Sequence, residues 1–143
     1  MLEQVGAGTW QPERDAQPWV RFCLTAHFRQ ATTLMRRARV MQRLWDIVEH
    51  HTAQRGLPDR TIVVLTEAAL GFKARNATYR KNADVSENLA SRDLKQLVGA
   101  GLLVPMGERR GRYYVASPQL QAFGREAADG ESHSVPDPFD VNG

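Results

Sequence analysis

The stretch that decides the fold, residues 84–103, reads DVSENLASRDLKQLVGAGLL and predicts one helix with both ends marked. Ser86 is placed to accept a hydrogen bond from a free backbone N–H of the first turn, as an N-cap does. Gly101 is placed to end the helix in a left-handed conformation. Apolar residues between these ends recur at helical spacing and predict one buried face. They are Leu89, Ala90, Leu94, Leu97 and Val98.

Two short β-prone runs follow this helix, at residues 103–106 and 113–116, with a polar loop between them. Glycines bracket the loop, which is typical of a hairpin with a longer connection. A capped helix followed by a hairpin with a basic loop is the layout of a winged helix-turn-helix. In that fold the helix enters the DNA major groove and the wing touches phosphates. The loop arginines are Arg109, Arg110 and Arg112.

The residues before the helix supply the rest of this fold. A stop-and-turn signal at residues 56–58 precedes an apolar helix that begins after the candidate cap Asp59. Asn76 is placed to cap a short second helix, and two helices joined by a tight turn form the helix-turn-helix. We therefore predict a mainly α protein, with a long N-terminal helix leading into a winged helix-turn-helix over residues 56–118 and a small β-hairpin wing.

The long amphipathic helix is predicted over residues 18–55, which contain no glycine and, after Pro18, no proline. Its apolar residues recur at threes and fours, although two nearly collinear helices with a soft point at residues 31–33 fit the pattern as well. The winged helix needs only the second half of this helix, from Met35 onward. The large apolar residues ahead of it predict a partner surface. They are Trp19, Phe22 and Phe28.

Both ends of the chain differ in composition from the segments between them. Residues 1–17 hold glycines, a proline and mixed polar residues, and predict a flexible leader. Residues 119–143 are acidic and rich in small residues, which predicts a mostly disordered tail. Within that tail, Leu120 and Phe123 can add one helical turn against the core.

Composition is that of an ordinary globular protein of 143 residues, and its single cysteine, Cys23, cannot form an internal disulfide. No segment approaches the roughly 18 apolar residues of a membrane span, and the N-terminus has no signal pattern, so we expect a cytoplasmic protein. The net charge of +3 is unevenly distributed. Residues 72–116 hold nine basic and four acidic side chains, whereas residues 117–143 hold one and five. This basic segment suits a polyanionic partner, although a solvated basic surface is also common.

The exposed face of the capped helix carries the candidate base-reading residues. They recur at i, i+3, i+4 and i+7 and so share one stripe: Asn88, Ser91, Arg92 and Lys95. Asparagine and arginine side chains can pair bidentately with adenine and guanine. The alternative is a solvated face with Arg92 and Asp93 in local ion pairs. Glu87 also counts against DNA contact, because it would face phosphates.

Basic residues on either side of this stripe are candidates for phosphate contact. Arg80 and Lys81 lie on the preceding helix, and the three loop arginines lie in the wing. An ordinary solvated hairpin loop is the alternative interpretation of the wing.

Two further pairs of residues carry side chains that could form a chemical site. Cys23 and His27 stand one helical turn apart, but no carboxylate is placed to orient the imidazole and Cys23 lies on the apolar stripe. Adjacent His50 and His51 point about 100° apart on a helix, which does not suit a shared metal ion. No glycine-rich phosphate loop is present. We expect no catalytic residue, no metal and no cofactor.

Several blocks of the sequence resemble the C-terminal region of Fic-family proteins (filamentation induced by cAMP), over about residues 6–118. The most specific block is WVRFCL at residues 19–24. The remaining blocks are GTW at residues 8–10 with Asp15, NATYR at 76–80, VS at 85–86 with ASRDLK at 90–95, LV at 97–98 with GLL at 101–103, and Gly107 with RG at 110–111 and YY at 113–114.

The resemblance implies a winged helix that follows a catalytic helical domain. Members of that family transfer AMP with a motif of His-Pro-Phe, two spacers and Gly-Asn-Gly-Arg, which lies upstream of the region matched here. The segment PFDVNG at residues 138–143 echoes the motif but lacks its general-base histidine and its phosphate-binding arginine. We therefore expect no AMP transfer and no enzyme activity.

The function stays open between two main hypotheses. The first is a non-catalytic winged-helix module that binds double-stranded DNA and resembles the regulatory end of a Fic protein. The second is the same fold used as a protein-interaction or dimerisation module that docks on a Fic catalytic domain encoded elsewhere. A truncated remnant without activity is a third.

The long helix predicts a homodimer. Leaving large apolar side chains exposed costs on the order of 1.5–3 kcal/mol each relative to burial, and twofold pairing of the helices would cover them. The alternative is a helix that bends near residues 32–33 and folds back on its own core, which would leave a monomer.

Overall fold

The computed structural model describes residues 13–131 and 135–139. It divides into two compact units, one with residues 13–38 and 135–139 and one with residues 39–131 of the described chain. Within the described residues the structure has five α-helices and two β-strands. They are α1 (Gln17–Gln54), α2 (Ile62–Ala69), α3 (Asn76–Ala83), α4 (Glu87–Gly99), β1 (Leu103–Met106), β2 (Tyr113–Ala116) and α5 (Pro118–Asp129). None of the helices within these ranges combines the length and the apolar character that crossing a bilayer requires.

The second unit is a winged helix-turn-helix, as predicted. Strands β1 and β2 pair antiparallel, with Leu103 opposite Ala116 and Met106 opposite Tyr113. A single bridge from Ala74 to Tyr114 adds the chain just ahead of α3 to this sheet. We call β1, β2 and the loop between them the wing. The mainly α fold class, with its long N-terminal helix and its two-stranded wing, is confirmed.

Helix α4 begins and ends where its sequence predicts. The side-chain oxygen of Ser86 accepts a hydrogen bond from the backbone N–H of Leu89 at 3.3 Å. Gly101 follows the helix with a φ of +73°, in the left-handed region where glycine meets no Cβ penalty. Between these ends Ala90, Leu94 and Leu97 are fully buried and attach α4 to the core.

Two predicted caps are wrong. Asp59 begins a short 3-10 turn, and no side-chain hydrogen bond caps either that turn or α2. The N-cap of α3 is Arg75, in an extended conformation, and Asn76 is the first helical residue. The Asn76 amide instead donates to the hydroxyl of Ser91 at 2.8 Å, across the contact between α3 and α4.

The core of the second unit joins all of its helices. Leu44 and Val48 on the C-terminal half of α1 are buried, together with Leu65 of α2 and Tyr79 of α3. The buried residues of α1 all lie after Met35, in its second half.

The prediction of a mostly disordered tail over residues 119–143 is wrong for its first part. Helix α5 extends to Asp129, and its residues Leu120, Phe123 and Ala127 are buried at spacings that place them on one face. The predicted helical turn at Leu120 and Phe123 is therefore correct, but the helix continues past Gly124. Residues 132–134 and 140–143 lie outside the described chain.

Helix α5 packs closely against α2 at Gly124. A Cβ at this position would lie 3.0 Å from the carbonyl oxygen of Ala69 at the end of α2, so the missing side chain lets the two helices approach. The Phe123 ring also stacks on His51 of α1, with ring centroids 4.3 Å apart. Glycine here serves helix packing and does not end the helix.

The first unit contains the N-terminal half of α1, which runs without interruption through residues 31–33. Thr32 and Thr33 donate side-chain hydrogen bonds to the backbone carbonyl of Arg29, a way in which such residues satisfy their hydroxyls inside a helix. The alternative of two separate helices is therefore wrong. The predicted flexible leader falls mostly on residues 1–12, which lie outside the described chain.

Candidate nucleic-acid interface

One open groove of about 940 Å³ lies in the second unit, between α3, α4 and the wing. Six basic residues from these three elements line it, against one acidic residue, Glu87. The basic residues are Arg75, Arg80, Lys95, Arg109, Arg110 and Arg112. We call this surface the basic groove. Because like charges repel, a groove with this composition suits an anionic partner.

The structure brings most of the predicted DNA-contacting residues together in this groove. From the predicted set, the groove holds Arg80, Ser91, Lys95, Arg109, Arg110 and Arg112. Asn88 and Arg92 are exposed on the neighbouring strip of α4, about one quarter-turn from the groove lining. Lys81 is exposed on α3 and does not line the groove.

Sequence reasoning missed Arg75. It is exposed and lines the groove, and its guanidinium carbon lies 5.9 Å from the centre of the Tyr113 ring on β2. The Lys73 amine lies over the same ring at 4.8 Å. The bridge between Ala74 and Tyr114 brings these cations to the wing. No local pattern in the sequence signals this, because Ala74 and Tyr114 lie far apart in the chain.

Helix α4 is fixed beneath the groove by a buried carboxylate. Asp93 accepts two hydrogen bonds from the Arg60 guanidinium, with Nε–Oδ2 at 2.7 Å and Nη2–Oδ1 at 2.9 Å. The Tyr79 hydroxyl donates to the same carboxylate at 2.8 Å. This pattern replaces the alternative in which Asp93 pairs locally with Arg92 at the surface. It ties α4 to α3 and to the turn before α2.

The protonation of this cluster follows from its contacts. Hydrogen bonds from Arg60 hold the pKa of the Asp93 carboxyl below its usual value, and they outweigh the opposing effect of burial. Burial raises the pKa of the Tyr79 phenol, and its hydrogen bond to Asp93 raises it further. Asp93 is therefore charged and Tyr79 neutral at neutral pH. In these states each group in the cluster has a hydrogen-bonding partner.

Two contacts between α3 and α4 set the orientation of side chains at the groove. The Asn76 amide donates to Ser91, which leaves the Ser91 hydroxyl hydrogen available to an outside acceptor. Arg80 forms an ion pair with Glu87 across the start of α4, with Nη1–Oε2 at 3.3 Å. Arg80, predicted as a phosphate contact, therefore already has a carboxylate partner.

The wing loop is compact. Residues Arg109–Gly111 form a single 3-10 turn, and all three wing arginines are exposed. Among the described residues, no carboxylate ion pair is found for these arginines. Their positive charge is therefore directed to solvent at one end of the groove.

The Cys23–His27 and His50–His51 pairs make ordinary contacts. His27 Nδ1 lies 2.7 Å from the backbone carbonyl oxygen of Cys23, so this ring nitrogen is not directed at the thiol. His50 contacts the Gln54 side chain at 2.8 Å. Within residues 13–131 and 135–139, no group of three or more His, Cys, Asp or Glu side chains is placed to hold a metal ion.

The predicted partner surface on α1 is partly covered. Trp19 and Phe22 are 37% and 49% exposed, and their rings stack with centroids 5.7 Å apart. Phe28 is half-buried, and its ring meets the Phe139 ring edge-on with centroids 6.2 Å apart. The Asp137 carboxylate lies 3.5 Å from the Arg29 guanidinium. Phe28 is thus less available to a partner than its position in the sequence predicts.

Comparisons with known proteins give resemblance in structure but not in sequence. No family model matches the chain. No curated protein matches it either. The predicted resemblance to Fic proteins therefore has no support from these comparisons.

Three solved structures illustrate the resemblance. A transcriptional regulator from Thermotoga maritima is 12% identical, with 80% of this chain and 73% of that chain covered and a TM-score of 0.48. A MarR family transcriptional regulator from Silicibacter pomeroyi is 14% identical, with 85% and 76% covered and a TM-score of 0.43. AbfR of Staphylococcus epidermidis is 17% identical, with 89% and 85% covered and a TM-score of 0.41.

Proposed function

We propose that this chain is a non-catalytic winged-helix regulator that binds double-stranded DNA through α4 and the wing. The observation that carries the proposal is the basic groove, in which six cations from three elements converge beside one exposed helix. Convergence of this kind raises the local density of positive charge, and phosphate neutralisation dominates the affinity of proteins for DNA.

Helix α4 suits the major groove in size and in side chains. It has 13 residues, and its exposed side holds Asn88, Ser91, Arg92 and Lys95, which can donate hydrogen bonds to base edges. The B-DNA major groove is about 12 Å wide, which is the diameter of one helix with its side chains. Asp93 and the buried leucines hold α4 from behind, so its exposed face needs no rearrangement to bind.

The wing suits the sugar-phosphate backbone. Its arginines lie at the end of a short, tight hairpin, and an exposed guanidinium is well shaped to bind a phosphate through two hydrogen bonds. Such contacts fix the register of a protein on the duplex but do not select its sequence. We therefore assign base reading to α4 and backbone contact to the wing and to Arg75.

The test is a fluorescence-anisotropy titration of a mixed-sequence duplex at several salt concentrations. We expect log K to fall with log[salt] with a slope of about −3 to −6, since each neutralised phosphate contributes about −0.9. A double variant, Arg109→Glu with Arg110→Glu, should abolish binding, whereas Arg125→Glu on α5, which does not line the groove, should leave it nearly unchanged. No binding by the unmodified chain at low salt would favour a protein-interaction module, such as one that docks on a Fic catalytic domain.

A second role, self-association through α1, is favoured by a separate observation. In the first unit Trp19, Val20, Phe22 and Leu24 are exposed apolar residues within six positions of one helix. Several exposed apolar side chains close together on a surface helix are typical of a partner surface. Pairing two copies about a twofold axis would cover it and would present two α4 helices to a paired DNA site.

Sedimentation equilibrium at tens of micromolar tests this role. We expect a dimer mass that Phe22→Ser converts to a monomer. Val135→Ser, which also changes an exposed apolar residue in the first unit, is the matched control and should leave the dimer intact. A monomer mass for the unmodified chain would contradict self-association.

A further inference from the structure

The proposed function gives no role to the one acidic side chain that lines the basic groove. Glu87 is the first residue of α4 and lines the groove among arginines. Its side chain is 73% exposed, so the core does not require it. A carboxylate near duplex DNA is repelled by phosphates unless it meets a hydrogen-bond donor. The positive end of the α4 dipole also favours an acidic residue here, an effect that does not depend on DNA.

Arg80 gives this carboxylate a defined position. Its guanidinium on α3 lies 3.3 Å from Oε2 of Glu87, which ties the side chain to the wall of the groove. The ion pair offsets part of the negative charge. An ionised carboxylate has about four acceptor sites on two oxygens and no donor, so Oε1 remains able to accept a hydrogen bond.

The bases differ in what they offer such an acceptor. In the major groove cytosine presents its N4 amino group as a donor, with no acceptor on that base beside it. Adenine presents an N6 donor next to the N7 acceptor, while guanine and thymine present acceptors that repel a carboxylate. Residues at the N-terminal end of a recognition helix are those that reach base edges in helix-turn-helix proteins.

We propose that Glu87 is a specificity-determining residue that accepts a hydrogen bond from a cytosine N4 amino group, and that Arg80 is the residue that positions it. The inference rests on the proposed function, since it applies to DNA bound by α4. It assigns Arg80 a different role from the phosphate contact expected from the sequence. Those two roles of Arg80 have different consequences for binding.

The experiment begins with selection from a randomised duplex pool by the full chain. Anisotropy titrations then compare the selected duplex with its single-base variants. We expect a cytosine position at which replacement costs the unmodified chain about tenfold in affinity, the size of a typical base contact. Glu87→Gln should weaken that discrimination and admit adenine, because its amide keeps one acceptor and gains a donor for adenine N7. Arg80→Met should reduce the discrimination at the same position while leaving the salt slope unchanged.

Glu108→Gln is the matched control. Glu108 is an exposed acid in the wing that does not line the basic groove, so its neutralisation should strengthen binding to all duplexes alike and keep the cytosine preference. If Glu87→Gln behaves in the same way as Glu108→Gln, its carboxylate only repels DNA and the inference is wrong. If Arg80→Met weakens all duplexes equally and reduces the salt slope by about one, Arg80 contacts phosphate and does not position Glu87. Absence of any duplex binding would reject the proposed function itself.

Discussion

Helix α4 and the wing line the same groove, yet they are held in different ways. The buried side of α4 carries Ala90, Leu94 and Leu97 and the charged Asp93, each with partners in the core. The wing has two four-residue strands, and beyond Leu103 every residue of β1 is exposed. A rigid helix can hold side chains in register with base edges, whereas a small basic hairpin needs only to reach phosphates. The difference in packing thus matches the proposed roles, in which α4 reads bases and the wing contacts phosphates.

Removing core support from each region should show this difference most strongly. Leu94→Ala on α4 deletes a side chain that is fully buried, and we expect it to lower the free energy of unfolding by about 3–4 kcal/mol. Val104→Ala on β1 deletes part of a side chain that is 38% exposed, and we expect a loss of about 1 kcal/mol or less. Urea unfolding followed by circular dichroism measures both. Equal losses would show that the wing is as firmly packed as α4.

The Asp93 cluster should give the next largest effect. Arg60→Met leaves a buried carboxylate with only the Tyr79 hydroxyl, which we expect to cost about 3 kcal/mol, near the lower end for such pairs because Arg60 is itself partly exposed. Arg80→Met is the control. It breaks an ion pair whose two partners are both exposed, and should change stability by about 1 kcal/mol or less. If the two variants lose the same stability, the cluster does not anchor α4.

The same cluster predicts a dependence of stability on pH. The pKa of Asp93 is lower in the folded chain than in the unfolded chain, so its contribution is fully present above about pH 4, the ordinary aspartate pKa. It is lost as the pH falls through the lower pKa of the folded state. The pKa of Tyr79 is raised, so its contribution is present below about pH 10 and is lost as the pH rises through the folded value.

Thermal unfolding of the unmodified chain and of Asp93→Asn, measured from pH 2 to 7, tests whether the Asp93 contribution to stability is lost at low pH. Asp93→Asn should be less stable at pH 7, and the difference should shrink below about pH 4 as the carboxylate of the unmodified chain takes up a proton. A difference that stays constant over this range would contradict the predicted role of the charge.

Local features of this structure could be predicted from the sequence, whereas contacts between distant residues could not. The two ends of α4 were predictable because Ser86 and Gly101 act within a single turn of chain. The Asp93–Arg60 pair joins residues 33 positions apart, and no local pattern distinguishes it from a surface charge. Helix α5 was predicted too short because the sequence alone does not distinguish a glycine that permits close packing from a glycine that ends a helix. Arg75 was missed because the bridge that brings it to the wing joins Ala74 to Tyr114, which lies far along the chain.

The central claim is that α4 reads bases and the wing contacts phosphates, and comparing one variant in each region tests it most directly. Arg92→Ala and Arg110→Ala can be titrated by anisotropy against a panel of duplexes that differ at single base pairs, at two salt concentrations. We predict that Arg92→Ala costs about 1–3 kcal/mol on the preferred duplex and relaxes selection at one position. Arg110→Ala should weaken all duplexes alike and reduce the salt slope by about one. If neither substitution alters binding, or if the two have the same effect on every duplex, the proposed division between α4 and the wing is wrong.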